Sequence, residues 1–296
     1  MIAEHLASTT HQPSLTLSDS FPMTDHCDPF PPLPTETIIA IMEEAASQKE
    51  TALNLCLVSK SVYNLIKPIL YHSIQVKWYN FQRFHQWFFN FSPIDPHKYH
   101  RSLIRDLTIV CRASYLFRVV DTCDRLDRLV CSADIVECTR TKSRPKELII
   151  YASNCTSTFY GGDTHPGAFA QSVTHLYVNL AILGPKFVET VECMECVKYV
   201  GASLTTNDPD VEEGVAYGIP GLLDIERLAG IFVYDRSTTI AGIWKRLAKV
   251  EDKRLVVAIQ AVVDWDADPA QGACSGASPW EKMKGLEDWR NDVEGF

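Results

Sequence analysis

"RDLTIV", residues 105–110, is the stretch whose reading decides the fold. It is short, apolar and β-branched, as a buried strand should be, and it recurs. "DRLVCS", "KELIIY", "THLYVN", "VKYVGA", "GIFVY" and "LVVAI" have the same character. Aligned on Leu107, Leu129, Leu148, Leu176, Tyr199, Ile231 and Val256, the runs are 22, 19, 28, 23, 32 and 25 residues apart. Several gaps hold a helix: "ASYLFRVVDTCD", "PKFVETVECME" with Pro185 at its start, and "STTIAGIWKRLAKV" with Ser237 as cap and Ile240, Ile243, Trp244 and Leu247 on one face. A strand, a helix and another strand within about two dozen residues imply parallel pairing through right-handed crossovers.

The spacing is close to the leucine-rich-repeat period of about 20–29 residues, though irregular. The expected fold class is therefore α/β. An irregular leucine-rich-repeat-like solenoid of parallel strands and crossover helices is expected over residues 80–263. Along each strand the anchor and the residue two later share a face. Leu107/Ile109, Leu148/Ile150, Leu176/Val178 and Ile231/Val233 make good core-facing pairs, whereas Tyr199/Gly201 and Val256/Ala258 fit more weakly. The residues between point the other way: Thr108, Val130, Ile149, Tyr177, Val200, Phe232 and Val257. Six of these seven are apolar. Such a face is either covered by the protein's own chain or a binding surface for a target. Val130, Ile149, Tyr177, Val200, Phe232 and Val257 are accordingly the candidate target-binding residues. The tail, 264–296, carries no strand signal. It is expected to be a loop followed by a short helix, "SPWEKMKGLEDW", capped by Ser278 with Pro279 in its first turn. Trp265, Trp280 and Trp289 make this tail the candidate cover.

The chain's start is organised differently. Residues 1–32 are rich in Ser, Thr, Pro and His without a period, and are expected to be a disordered leader. "PLPTETIIAIMEEAA" then opens a helix with Ile38, Ile41, Met42 and Ala45 on one stripe. "TALNLCLV" gives a second helix, with Leu53, Cys56 and Leu57 on one side. "SKSVYNLIK" gives a third, capped by Ser59, with Val62, Tyr63 and Ile66 as its stripe. Pro68 is expected to end it and "LYHSIQVKW" to be extended. "NFQRFHQWFFN" is a further helix, capped by Asn80.

Composition narrows the partners. With 28 basic and 37 acidic residues the net charge is −9, which disfavours nucleic acid or an anionic membrane surface. No apolar run approaches the roughly 20 residues of a membrane span. The first twenty residues lack the basic and apolar regions of a secretory signal. The ten cysteines are then read as reduced, in the cytoplasm and/or nucleus.

Little suggests chemistry. "CMEC", Cys193–Cys196, is a lone CxxC without the second pair that structural zinc needs. It lies within a predicted helix, not at the helix start that would activate a thiol, so buried thiols are expected. "YGGDTHPGAF", with Asp163 and His165, lacks a phosphate-loop lysine and reads as a connection. "TRTKSRPKE" reads as a solvated loop. No catalytic residue, metal or cofactor is indicated.

The segment 33–74 resembles an F-box. Leu33, Pro34 and Glu36 match the family's opening, and "LNLCLVSK" its second helix ending in Val-Ser-Lys. Tyr63 stands where Trp is common, and "LIKPILYHSI" supplies the close. The resemblance implies a three-helix unit that binds the Skp adaptor, and through it the cullin, of a ubiquitin ligase. The remainder of the chain would select an unidentified target protein. Adaptor contacts would then come from Leu33, Pro34, Ile38, Ile41, Leu57, Val58 and Ile66, shared with the unit's own core. Cys56 and Tyr63 would hold that core. Two other readings stay open. One is an F-box scaffold acting outside a ligase. The other is an α/β enzyme using Cys193 or His165, with helices on both sheet faces and a polar cleft at the strand C-termini.

Overall fold

The computed structural model describes residues 34–89, 101–110, 116–138, 143–151, 170–179, 185–204, 209–235, 245, 248–249, 252–259 and 278–283. It is α/β, in two compact units divided between Leu70 and Tyr71. Helices α1 (Thr35–Ala45), α2 (Lys49–Leu55) and α3 (Lys60–His72) come first. Among the described residues eight strands follow: β1 (Ser73–Lys77), β2 (Asp106–Val110), β3 (Arg128–Cys131), β4 (Glu147–Ile150), β5 (His175–Asn179), β6 (Tyr199–Leu204), β7 (Gly230–Asp235) and β8 (Leu255–Ile259). Between and after them lie α4 (Phe81–Phe89), α5 (Phe117–Thr122), α6 (Ala133–Cys138), α7 (Pro185–Cys193), α8 (Pro209–Asp224) and α9 (Pro279–Met283). The sheet thus begins at Ser73, upstream of the expected 80. The expected helix at 237–250 lies largely outside the described residues.

The strands form one sheet in chain order, and every neighbouring pair is parallel. Leu107, Leu129, Leu148, Leu176, Val200, Ile231 and Leu255 are in register and all buried. They share one core with Val119 and Val120 of α5, Phe187 and Val191 of α7, and Val215, Ile219 and Leu222 of α8. The buried residues of α5, α7 and α8 therefore join a single sheet face.

This register corrects two sequence alignments. Val200, not Tyr199, continues the Leu176 row, and Leu255, not Val256, continues Ile231. Both runs are apolar at successive positions, so alternation alone fixes no face, and a one-residue slip inverts every side chain. For β6 the turn into the strand fixes it. Buried residues recur every third position in Val120/Cys123/Leu126/Leu129, Val191/Met194/Val197/Val200 and Leu222/Ile225/Leu228/Ile231. Backbone i→i+3 hydrogen bonds carry the spacing, such as Met194 N–H to Val191 C=O (3.0 Å) and Val197 N–H to Met194 C=O (3.0 Å).

Two further devices recur. The carbonyl just before one strand accepts from two successive N–H groups at the entrance to the next. Asp127 and Arg128 donate to Arg105, Lys146 and Glu147 to Asp127, Thr174 and His175 to Lys146, Lys198 and Tyr199 to Thr174, and Ala229 and Gly230 to Lys198. An arginine from the following turn also gathers carbonyls that the helix end leaves over. Arg227 donates to Val191, Glu192 and Met194; Arg254 donates to Leu223, Ile225 and Leu228.

The three-helix unit has a much smaller core. Ala46, Ala52 and Ile66 are buried, with Met42, Leu55, Cys56, Val62, Leu65, Ile69 and Leu70 packed against them. Ser59 caps α3 by accepting from Val62 N–H at 3.2 Å. Pro68 does not end this helix, which runs on to His72. A proline removes one intrahelical bond. Here Leu65 and Ile66 before it, and Ile69 and Leu70 after it, pack into the same core, which offsets that loss.

The register can be tested in solution. Val200→Asp puts a carboxylate into the main core and is expected to cost roughly 3–5 kcal/mol in urea unfolding. Tyr199→Asp, at a half-buried position on the other face, should cost only about 1 kcal/mol. The reverse order would restore the sequence alignment.

Candidate functional site

Two surfaces gather the residues singled out in the sequence. The first is the three-helix unit. Its small core leaves large apolar side chains in solvent: Ile38 is 39%, Ile41 55%, Leu57 72% and Val58 67% exposed. Ile38 and Ile41 lie one turn apart on α1. Leu57 and Val58 lie in the turn between α2 and α3, whose N–H groups bond back to Asn54 and Leu55. Pro34, exposed, starts α1, and its carbonyl accepts from Thr37 (3.0 Å) and Ile38 (3.1 Å). Leu33 lies outside the described residues. Ile66 is a correction: it is fully buried among Ala46 and Ala52, so it supports the unit and offers nothing to a partner. Tyr63 is half-buried, with Lys67 Nζ 5.4 Å from its ring centroid.

The second surface is the sheet face opposite the main core. Val130, Ile149 and Tyr177 are fully buried there, packed with Tyr151, Phe232 and Trp280. Val200 and Val257 are corrections: they belong to the main core, and by register Gly201 and Val256 are the residues in the Tyr177–Phe232 row. The cover comes from α9. The Trp280 ring stands edge-on among His175 (centroids 5.3 Å apart), Tyr177 (6.1 Å) and Phe232 (5.4 Å), and tilted against Tyr199 (6.3 Å). Gly201 makes this possible, since a Cβ there would collide with the Tyr177 ring and lie 3.2 Å from Trp280 Cη2. A glycine inside a strand often marks such a close approach, and "YVGA" carried that signal. Trp265 and Trp289 lie outside the described residues.

Beside this apolar patch runs a polar row in register: Asp106, Arg128, Glu147, His175 and Tyr199. Arg128 Nε lies 3.6 Å from Glu147 Oε2, and His72 Nε2 lies 3.6 Å from Asp106 Oδ2. Ser278, just before α9, donates to Glu147 Oε1 at 3.3 Å. Burial raises the Glu147 carboxyl above its ordinary range, against the opposing pull of Arg128 and Ser278. Burial also raises Asp106, against His72 and Arg128. His175, stacked on Tyr199 at 4.6 Å, is held below the usual imidazole value by burial.

Cys193 ends α7 and Cys196 follows it, and both are exposed, which corrects the expectation of buried thiols in mid-helix. Between them Met194 takes the buried position of the three-residue period. His165 lies outside the described residues. Among the described residues no group of three or more His, Cys, Asp or Glu is placed to hold a metal ion, and no helix is long and apolar enough to cross a membrane. Among the described strands the order never reverses, so they contain no topological switch point of the kind at which open α/β sheets bind ligands.

No family model, curated protein or solved structure matches the chain.

The raised carboxyls give a signed pH dependence. The fold holds the Glu147 and Asp106 protons to higher pH than the unfolded chain does. Proton uptake therefore favours the fold between the ordinary carboxylate value, about 4, and each raised value, and stability falls as pH rises through that window. Glu147→Gln should remove Glu147's share and flatten the decline in urea stability across it. An unchanged slope would count against the burial of this carboxyl.

Proposed function

We propose that the chain is a substrate-recognition subunit of an SCF-type cullin–RING ubiquitin ligase, acting in the cytoplasm and/or nucleus. Residues 33–74 act as an F-box that docks on the Skp adaptor. The parallel-strand domain acts as an irregular leucine-rich-repeat-like solenoid that holds the target protein. The chain itself contributes no catalytic group; the ligase's other subunits perform the transfer.

The observation that carries this reading is the exposure of Ile38, Ile41, Leu57 and Val58 on a unit whose buried core, among the described residues, is Ala46, Ala52 and Ile66 with their partly buried neighbours. These four side chains occupy the positions at which the F-box resemblance expects adaptor contacts. Large apolar groups left in water on a unit this small suit a surface completed by a partner. Burying each would contribute roughly 1.5–3 kcal/mol to association. The chain-order sheet fits the same reading, because a stacked array presents one long face, with its crossover helices gathered behind it.

Adaptor capture from co-expression tests it. Leu57→Asp with Val58→Asp should lower capture at least tenfold while leaving the thermal midpoint unchanged, since both residues are exposed. Ile66→Ala should lower the thermal midpoint. Full capture by the double variant would refute the docking surface. Adaptor binding with no cullin in the purified complex would move the protein from ligase subunit to scaffold.

A further inference from the structure

The turn from α7 into β6 carries two cysteines on its outer side. Burial along residues 191–200 repeats every third position: Val191, Met194, Val197 and Val200 point inward. Glu192 and Glu195 make one exposed row, and Cys193 and Cys196 make another. Two successive i→i+3 hydrogen bonds carry this period, Met194 N–H to Val191 C=O and Val197 N–H to Met194 C=O, both 3.0 Å. At three residues per turn, side chains three apart stand one above the other, with a rise of about 6 Å between them. A disulfide joins Cα atoms roughly 4.4–6.8 Å apart. The turn that sends Val200 to the core thus also pairs two thiols in solvent.

Their surroundings differ from those of the other described cysteines. Cys123 and Cys131 are fully buried, and burial pushes the Cys123 thiol up to about 12. Those thiols are packing groups. Cys193 and Cys196 are exposed to any small reagent. Arg227, arriving from the next turn, donates to the carbonyls of Val191, Glu192 and Met194, on both sides of Cys193. The fold therefore holds the geometry of the pair in advance. Two thiols do not complete a structural metal site, which needs four ligands, and no larger group of metal-binding side chains is placed for one among the described residues. Two adjacent exposed thiols suit thiol–disulfide exchange instead.

We propose that Cys193 and Cys196 are a redox site, a dithiol that a small disulfide of the glutathione class closes to a Cys193–Cys196 disulfide. One thiolate attacks the small disulfide, forms a mixed disulfide and releases one small thiol. The second thiolate attacks the protein-side sulfur, forms the Cys193–Cys196 bond and releases the other small thiol. The two cysteines lose two protons and two electrons, and the small disulfide gains them. The new bond spans the turn into β6 and clamps the segment that sets that strand's register. An exposed disulfide is labile, as a reversible switch requires. The site is independent of the adaptor reading, since no docking residue takes part in it.

The test equilibrates the full-length native chain, without adaptor, in reduced and oxidised glutathione at a series of ratios. Acid quench, alkylation of the remaining thiols and tryptic mass mapping follow. Residues 187–198, FVETVECMECVK, hold both cysteines in one tryptic peptide. This peptide should convert to the internal disulfide, two hydrogens lighter than the dithiol, while Cys123 and Cys131 stay reduced. Dithiothreitol should reverse the conversion. The equilibrium constant should be at least tenfold higher in the native chain than in the chain unfolded in urea, because the folded turn holds the pair. Cys196→Ser, a substitution at an exposed position, should instead accumulate Cys193 as its mixed disulfide with glutathione. A wild-type peptide that stays dithiol, or that takes up glutathione with no internal disulfide, would overturn the proposal. So would equal constants in the native and unfolded chains.

Discussion

The structure depends on one repeated constraint: the turns into β3, β6 and β7 bury a side chain at every third residue. Val191, Met194 and Val197 deliver Val200 to the core, and Leu222, Ile225 and Leu228 deliver Ile231. Once the inward residue is fixed, pleating fixes all the others. Parallel pairing in chain order then places Leu107, Leu129, Leu148, Leu176, Val200, Ile231 and Leu255 in one buried row. The carbonyls that close each turn accept from the next strand entrance or from Arg227 and Arg254, so stacking and backbone satisfaction are the same event.

A consequence follows for the two sides of the sheet. The buried residues of α5, α7 and α8 join the face of that row. Among the described residues the other face is covered by Trp280 of the tail, lying over Gly201, with Tyr151 beside it. Val130, Ile149 and Tyr177 are apolar because they are covered. The polar row of Asp106, Arg128, Glu147 and His175 lies next to that cover, and burial shifts its carboxyls upward.

Much of this could be read from the sequence. The runs containing Leu107, Leu129, Leu148, Leu176 and Ile231 announced parallel strands through their composition and spacing, and Pro185 marked the start of α7. Register in β6 and β8 was not legible from alternation, because "YVGA" and "LVVA" are apolar on both faces. For β6 the three-residue period upstream would have supplied it. Pro68 misled because a local backbone rule was weighed without the apolar residues on both sides of it. Ile66 and Leu57 look alike as apolar residues of one short segment; only the packing of three helices separates the buried one from the exposed one. The helix Pro209–Asp224 went unread, its apolar positions Val215, Ile219 and Leu222 masked by glycines and by Pro220 inside the helix.

The two units differ in self-sufficiency. The sheet buries its rows with its own helices and tail, whereas the three-helix unit leaves Ile41, Leu57 and Val58 more than half exposed. The account's central claim is that this apolar surface belongs to an adaptor and the sheet does not. Hydrogen exchange of the intact chain, with and without purified Skp adaptor, tests it most directly. The account predicts added protection confined to amides of α1, α2 and the start of α3, with β1 to β8 unchanged. Protection on the strands with none in residues 35–60 would contradict it.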